Sequence, residues 1–305
     1  MITRGHPLSA TEGAWVGYLH LIVVYVVWGS TYLAIRVAVR DGTGFPPFAL
    51  GATRLLLAGG ILLLWAAWSR HRLRPSRREL ATLLASGILL WVGGNGLVMW
   101  GEQRADSGYA ALLVGSAPIW VAVLESLLDR RAPSAFLAAS LLVGFSGLGL
   151  LTAPSPGGAL PTEPSSILAL LLAPLSWGLG TLLLRRRPVD LSPLASSAYQ
   201  QLFGGLAFAL VAALLGEPAP RPSLAAWLAW GYLVVFGSLL AFTSFVQAVR
   251  LLPTSVVMTY AYVNPVIAVL LGHLLLDEPV TARTVAGAAL VLAGVAGVFR
   301  TRPGA

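Results

Sequence analysis

The chain has 305 residues, of which 57% are hydrophobic and only 10% are charged, and its mean hydropathy is +0.79. No soluble domain of this length exposes so apolar a surface, so the composition predicts an integral membrane protein. The net charge of +8 is carried by arginines in short loops, which argues against a nucleic-acid surface, and the absence of cysteine excludes disulfides and thiolate metal sites.

Ten apolar stretches are long enough to be transmembrane helices, because about 20 residues of helix cross about 30 Å of hydrocarbon. In chain order they are residues 18–39, 47–68, 80–101, 107–128, 135–152, 166–184, 192–215, 224–249, 255–276 and 284–299. The first is too long for a signal peptide and no small-residue cleavage site follows it, so we expect it to be retained. The predicted fold class is an all-α integral membrane protein with ten transmembrane helices.

The second five spans repeat the first five at an offset of 146 to 149 residues. The repeat rests on paired positions, which include Trp28 and Trp177, Pro47 and Pro193, Pro118 and Pro265, and Gly147 and Gly294. Because five is an odd number, the second copy enters the membrane from the opposite face. The sequence therefore predicts two inverted five-helix repeats, residues 18–152 and 166–299, with a substrate site near the midplane between them.

Arginine placement predicts the orientation. With the N-terminus in the cytoplasm, fourteen loop arginines lie inside and four lie outside. Since basic residues concentrate on the cytoplasmic side, we expect both termini to be cytoplasmic and the protein to lie in the inner (plasma) membrane.

Aromatic, polar and proline residues inside the spans are the candidates for substrate binding. They are Trp28, Ser30, Tyr32, Arg54, Trp91, Asn95, Pro118, Trp177, Gln200, Gln247, Tyr260, Asn264 and Pro265. Tryptophan pairs can hold a side chain or a cation, and each internal proline leaves one backbone carbonyl without its helical donor. For each residue the structural alternative stays open: core packing for the rings, a kink for the prolines, and a helix-to-helix hydrogen bond for the amides.

Of these residues, Arg54 has the highest free-energy cost of placement inside the membrane. A lipid-facing arginine at the bilayer centre costs about 2.5–3.5 kcal/mol, so we expect Arg54 to face the helix bundle. There it either forms an ion pair with Glu102 or attracts the carboxylate of a substrate, and a purely structural role is the other interpretation. Its counterpart in the second half is the neutral Gln200.

Four segments resemble the pattern of the EamA-type drug/metabolite transporters. They are Trp28 to Tyr32, Ala52 to Gly59, Ala117 to Leu128, and Tyr262 to Thr281 with Asn264 followed by Pro265. The resemblance covers nearly the whole membrane region and implies two EamA repeats, alternating access, and export of amino acids, related metabolites or drugs. It implies no cofactor. Asp277 stands where such proteins often carry glycine, and this departure affects only the predicted outer turn.

Two other functions remain as alternatives. The segment Gly144 to Gly147 matches the GxSG pattern of intramembrane serine proteases, with His273 as a candidate base. A sugar-nucleotide carrier would require several buried cations.

Small residues in the fifth and tenth spans predict close helix packing or a homodimer contact; they are Ser140, Gly144 and Gly147, then Ala289, Ala293 and Gly297. The expected partners are a small-molecule substrate and the lipid bilayer, without nucleic acid, and proton coupling and facilitated exchange stay open.

Overall fold

The computed structural model describes residues 10–39, 42–102, 113–152, 164–276 and 281–301, and these residues form helices without any β-strand. In chain order the helices are α1 (Ala10–Ala38), α2 (Pro47–Trp68), α3 (Arg77–Gly87, Ile88–Gly96 and Leu97–Glu102 in direct succession), α4 (Ala117–Asp129), α5 (Ala135–Thr152), α6 (Pro164–Arg186), α7 (Pro193–Leu214), α8 (Leu224–Tyr232, Leu233–Phe242 and Thr243–Leu251 in direct succession), α9 (Thr254–Met258), α10 (Tyr260–Leu276) and α11 (Ala282–Arg300).

Seven of the described helical stretches are long and apolar enough to cross a membrane. They lie in α1, α2, α3, α6, α7, α8 and α11. Their outer surfaces carry large exposed apolar side chains, such as Leu64, Trp68 and Leu214, which are 73%, 85% and 76% exposed. A continuous apolar exterior of this kind is suited to lipid.

The helix ends differ from the apolar stretches where local chemistry sets them. α1 begins at Ala10, eight residues before the predicted span, because helical hydrogen bonding continues beyond the end of an apolar run. α3 begins at Arg77 because Ser76 and Glu79 form a capping box, in which each side chain accepts from the other residue's amide. The first part of the predicted fourth span, residues 107–112, lies outside the described residues; α4 begins at Ala117, with Pro118 in its first turn.

The predicted ninth span is divided at Thr259 into α9 and α10. Pro265 lies inside α10, where its ring displaces the carbonyl of the residue four positions earlier and removes one backbone donor. The break at Thr259 lies six residues before the proline, next to the turn whose hydrogen bonding the proline weakens.

The middle segments of α3 and α8, Ile88–Gly96 and Leu233–Phe242, are wound as π-helix. A π-helical turn takes more residues than an α-helical turn and is frequent at functional sites. The segment in α3 lines the cavity described below through Trp91, Gly94 and Asn95, whereas the segment in α8 contacts a cavity residue, Arg54, through Ser238.

Two helix pairs are packed so closely that glycine is required between them. α2 lies against α7, where a Cβ atom at Gly59 would lie 3.0 Å from the carbonyl oxygen of Ala198, and one at Gly205 would lie 3.0 Å from the amide nitrogen of Leu56. Because both obstacles are backbone atoms, neither position tolerates a side chain without displacement of a helix.

α5 and α11 form the second pair. A Cβ atom at Gly294 would lie 2.5 Å from the amide nitrogen of Gly144, and one at Gly147 would lie 2.6 Å from that of Val291. The predicted face on α5 therefore packs within the chain. On α11 the contacting face contains Gly287, Gly294 and Gly297, whereas Ala289 and Ala293 are exposed, because the contact follows the seven-residue spacing of the glycines.

Candidate functional site

A cavity of about 1280 Å³ lies among α1, α2, α3, α6, α7 and α10. At one end it reaches the loops before α2 and after α7, where Pro46 and Arg221 line it. At depth it is lined by Trp28, Trp91 and Trp177. The volume is sufficient for a small metabolite.

The opposite end of the bundle is closed by hydrogen bonds that join loop residues to the ends of helices. Arg250 donates from Nη1 to the carbonyl of Leu191 (2.7 Å) and from Nη2 to Oγ of Ser196 (2.6 Å). Tyr199 donates to the carbonyl of Leu73 at 2.7 Å, and Arg72 pairs with both Glu79 and Asp190. None of these residues lines the cavity, which therefore has one open end and one closed end in this conformation.

The deep wall of the cavity is aromatic and is centred on Trp28. The ring of Trp28 lies 5.0 Å from that of Tyr260, 5.3 Å from that of Phe245 and 5.7 Å from that of Trp177, as centroid distances. Its indole nitrogen donates to the carbonyl of Gly237 at 3.2 Å. The Trp28 side chain is thus fixed in orientation, which provides a rigid apolar surface for a bound solute.

Arg54 contributes a positive charge to this apolar cavity. Its side chain is 8% exposed and lines the cavity, and its Nε donates to Oγ of Ser238 at 2.7 Å. The guanidinium carbon lies 5.6 Å from the centroid of the Trp91 ring, within the range of a cation–π interaction. The predicted partner Glu102 has its side chain outside the described part of the chain.

Asn264 joins two helices beside the cavity. With its amide nitrogen facing the available acceptors, it donates to the carbonyl of Tyr260 at 3.1 Å and to that of Tyr25 at 3.2 Å. The side chain is 2% exposed but still contributes to the cavity wall, as does Asn95. The amide of Asn264 therefore ties α10 to α1, and the alternative of a structural hydrogen bond is the one its geometry favours.

The two predicted prolines lie next to residues that line the cavity. Neither Pro118 nor Pro265 lines the cavity, but Val114 and Ala261 do. Pro118 lies in the first turn of α4, where a missing amide removes no helical hydrogen bond, so the prediction of a freed carbonyl at Val114 is wrong. Pro265 lies inside α10, so the carbonyl oxygen of Ala261 loses its i+4 amide donor. Polar backbone is thus located in the wall of an otherwise apolar cavity.

Three further predicted residues, Ser30, Gln200 and Gln247, do not line the cavity. Oγ of Ser30 bonds to the hydroxyl of Tyr232 at 2.5 Å, and Gln200 donates to Oγ of Ser86 at 2.8 Å. Gln247 is half-buried on α8 and does not line the cavity. The side chains of Tyr32 and His273 lie outside the described residues.

Sequence reasoning missed Ser238, Gly237 and Glu217. Ser238 orients Arg54, and a Cβ atom at Gly237 would lie only 2.9 Å from Nη2 of Arg54. At the open end the carboxylate of Glu217 accepts from the amides of Phe48 and Ala49, at 3.0 and 2.7 Å, and so caps the N-terminus of α2. The repeat contains a signal for Ser238, because Ser238 is the counterpart of Trp91 at the offset that pairs Gly147 with Gly294.

Ser146, the serine of the GxSG segment, is exposed on the outer face of α5 and does not line the cavity. Gly147 faces α11, whereas Gly144 faces the ring of Tyr262 on α10 and exposes its backbone to Gly294 of α11. This arrangement accounts for the glycines of the segment without a protease site.

Comparison with known proteins agrees with these features. The model of the family described as "EamA-like transporter family" matches the chain twice, over residues 15–153 and 164–300. The "Uncharacterized inner membrane transporter YedA" of Escherichia coli (strain K12) is 33% identical over 254 residues, which cover 83% of this chain and 80% of that one. The "Uncharacterized transporter sll0355" of Synechocystis sp. is 27% identical over 301 residues, covering 91% and 88% of the two chains.

A plant relative and a solved structure extend the similarity. The "WAT1-related protein At3g02690, chloroplastic" of Arabidopsis thaliana is 26% identical over 296 residues, covering 94% of this chain and 70% of that one. A protein crystal structure of 20% identity superposes with a TM-score of 0.78 over 95% of this chain and 96% of the other, which shows a shared fold. The chain belongs to the EamA-like transporter family, and it is a membrane transporter rather than an enzyme.

Proposed function

We propose that the protein is a secondary transporter of the inner membrane that exports small neutral or zwitterionic metabolites, amino acids first among them, by alternating access. The observation that carries this proposal is the cavity with one open and one closed end. A solute enters such a cavity from one side and leaves after the opposite end opens.

We propose further that the two stretches matched by the family model are inverted repeats of five transmembrane helices each, with both termini cytoplasmic. In this orientation the loops at the closed end, with Arg72, Arg74, Arg186 and Arg187, are cytoplasmic, as the concentration of positive charge favours. The cavity then opens to the outside.

The absence of cysteine makes this orientation directly testable. Thr43 lies at the open end and His71 at the closed end, and both are exposed. We expect a membrane-impermeant maleimide to label the Thr43→Cys variant in intact cells and the His71→Cys variant only after permeabilisation. The reverse pattern, or equal labelling, contradicts the orientation.

The transport proposal is tested with purified protein in proteoliposomes. We expect saturable efflux for members of a panel of labelled amino acids, nucleosides and amines, and the same panel with and without a pH gradient distinguishes proton coupling from facilitated exchange. Absence of flux for every solute contradicts the proposal. A sugar-nucleotide cargo is disfavoured because, among the described residues that line the cavity, Arg54 is the cation at depth and Arg221 lies at the open end.

A further inference from the structure

We propose that Arg54 is the carboxylate-binding group of the central cavity, so that the cavity selects small solutes with a single carboxylate on an apolar body. The inference rests on the proposed transport function and narrows it to one substrate class. It also assigns Ser238 as the residue that positions Arg54.

Arg54 places a positive charge in a buried position. A guanidinium remains protonated in a protein, and a buried charge is costly unless an opposite charge or several hydrogen bonds compensate it. The ion pairs between described residues join Arg72 to Glu79 and Asp190, and Arg186 to Asp129; Arg54 takes part in none of them. An anionic group that enters the cavity would supply a counter-charge to Arg54 that these described ion pairs do not.

The guanidinium group of Arg54 is held in one orientation. Arg54 donates from Nε to Ser238, and its guanidinium carbon lies over the ring of Trp91. Its two terminal nitrogens form no hydrogen bond to any residue described in the structure. Gly237 leaves the space that Nη2 occupies. A guanidinium held in this way presents its free N–H groups as a planar fork, which matches the two oxygens of a carboxylate.

The lining of the cavity contains few charged side chains among the described residues. Among the described lining residues, the acidic one is Glu217 at the open end, and both of its carboxylate oxygens already accept backbone amides. Within the described part of the lining, Arg54 is therefore the cation at depth and has no acidic side chain beside it, an arrangement that suits a monocarboxylate better than a dianionic phosphate. The rings of Trp28 and Tyr260 supply the apolar surface for the rest of the solute.

Ser238 is itself held in place. Its carbonyl accepts a hydrogen bond from Nε2 of Gln201 at 3.2 Å, and the side chain is fully buried. Its hydroxyl fixes the direction of the Arg54 side chain. Loss of this hydroxyl leaves the charge in the cavity but frees its orientation, so it weakens recognition of a carboxylate without abolishing it.

The test uses the full-length protein in lipid nanodiscs and three probes that share a 3-methylbutyl group. Leucine carries both charged groups, 4-methylpentanoate lacks the ammonium group, and 3-methylbutylamine lacks the carboxylate. We expect both carboxylates to bind by calorimetry, with the amine at least about 10-fold weaker, because a hydrogen-bonded charge pair is lost. Absence of binding by both carboxylates at millimolar concentration overturns the proposal, as does equal binding of the amine.

The variants test which residue is responsible. In Arg54→Gln the carboxylates should bind roughly 10- to 100-fold more weakly, and Arg54→Lys should recover part of the loss because the charge remains without the fork. Ser238→Ala should weaken carboxylate binding about 10-fold and Ser238→Thr should restore it, a rescue that separates positioning from general damage. Arg187→Gln removes an exposed charge outside the cavity and is the matched control, with unchanged binding expected.

Glu102 provides the decisive alternative. If Glu102 compensated Arg54, Glu102→Gln would strengthen carboxylate binding markedly by freeing the guanidinium, and that result overturns the proposal; we expect unchanged binding. Gel filtration establishes which variants are folded, and the Ser238 pair keeps the test valid if the Arg54 variants are not. Efflux of amines or nucleosides that survives in folded Arg54→Gln, together with unchanged carboxylate binding, refutes this inference and leaves the transport function intact.

Discussion

The contact between α5 and α11 provides a quantitative test of the fold. In Gly294→Ala the new methyl group would lie 2.5 Å from the amide nitrogen of Gly144, 2.6 Å from its Cα and 2.7 Å from the carbonyl oxygen of Ser140. All three obstacles are backbone atoms, so no side-chain rotation relieves the overlap. To restore ordinary van der Waals distances, the two helices must separate by about 1 Å along this contact.

Overpacking of this kind costs about 1–3 kcal/mol, which corresponds to a fall in apparent Tm of about 2–5 °C for a chain of this size. The measurement is intrinsic tryptophan fluorescence of the purified protein during a thermal ramp. Gly60→Ala is the matched control, because a Cβ atom at Gly60 meets nothing within 4 Å and alanine favours a helix. A Tm for Gly294→Ala equal to that of the wild type or of Gly60→Ala would refute the close approach of the two helices.

Three further predictions follow from other contacts. Arg250→Ala removes two charged hydrogen bonds at the closed end and should increase maleimide labelling of a Ser197→Cys reporter by roughly 5- to 30-fold; unchanged labelling would mean that Arg250 does not hold this end closed. Glu217→Gln removes the negative charge that caps α2 and should lower stability by about 1 kcal/mol, measured as Tm, and an unaltered Tm would count against the cap. Ser146→Ala should leave transport unchanged, and the wild-type protein should not react with a fluorophosphonate probe; covalent labelling at Ser146 would contradict the assignment as a transporter.

The residues of the cavity could be predicted from the sequence where their chemistry excluded lipid. Arg54 is the clearest case, because a cation inside an apolar span has to face protein or water. Trp28 and Trp177 were recognisable as a repeated pair, and the structure brings their rings to 5.7 Å from one another. Composition and repeat together therefore indicated which residues meet at depth.

Buried amides were less predictable, because the sequence does not distinguish a cavity wall from a contact between helices. Gln200 and Asn264 are both polar residues inside apolar spans, yet Gln200 bonds to Ser86 on α3, whereas Asn264 lies beside the cavity. The difference depends on which helices are neighbours. That information arises only from the packing of the whole bundle.

Ser238 was missed for a different reason. Serine is common in membrane helices, where it usually bonds to its own backbone, so it gives no signal by itself. A regular spacing of 3.6 residues per turn also does not apply here, because Trp91 and Ser238 both lie in π-helical segments, whose wider turns change the residues that share a face. Only the comparison of Ser238 with its counterpart Trp91 could have indicated that both contact one side chain.

The two glycine-dependent helix pairs join the halves of the chain in a way that limits how the protein can move. α2 and α5 come from the first half, and their partners α7 and α11 come from the second. The halves are therefore interlocked and cannot rock against each other as separate blocks without opening backbone contacts along two interfaces. Under the proposed alternating access, the two access states would exchange by bending and sliding of the helices between these pairs, while the two glycine-dependent contacts stay intact.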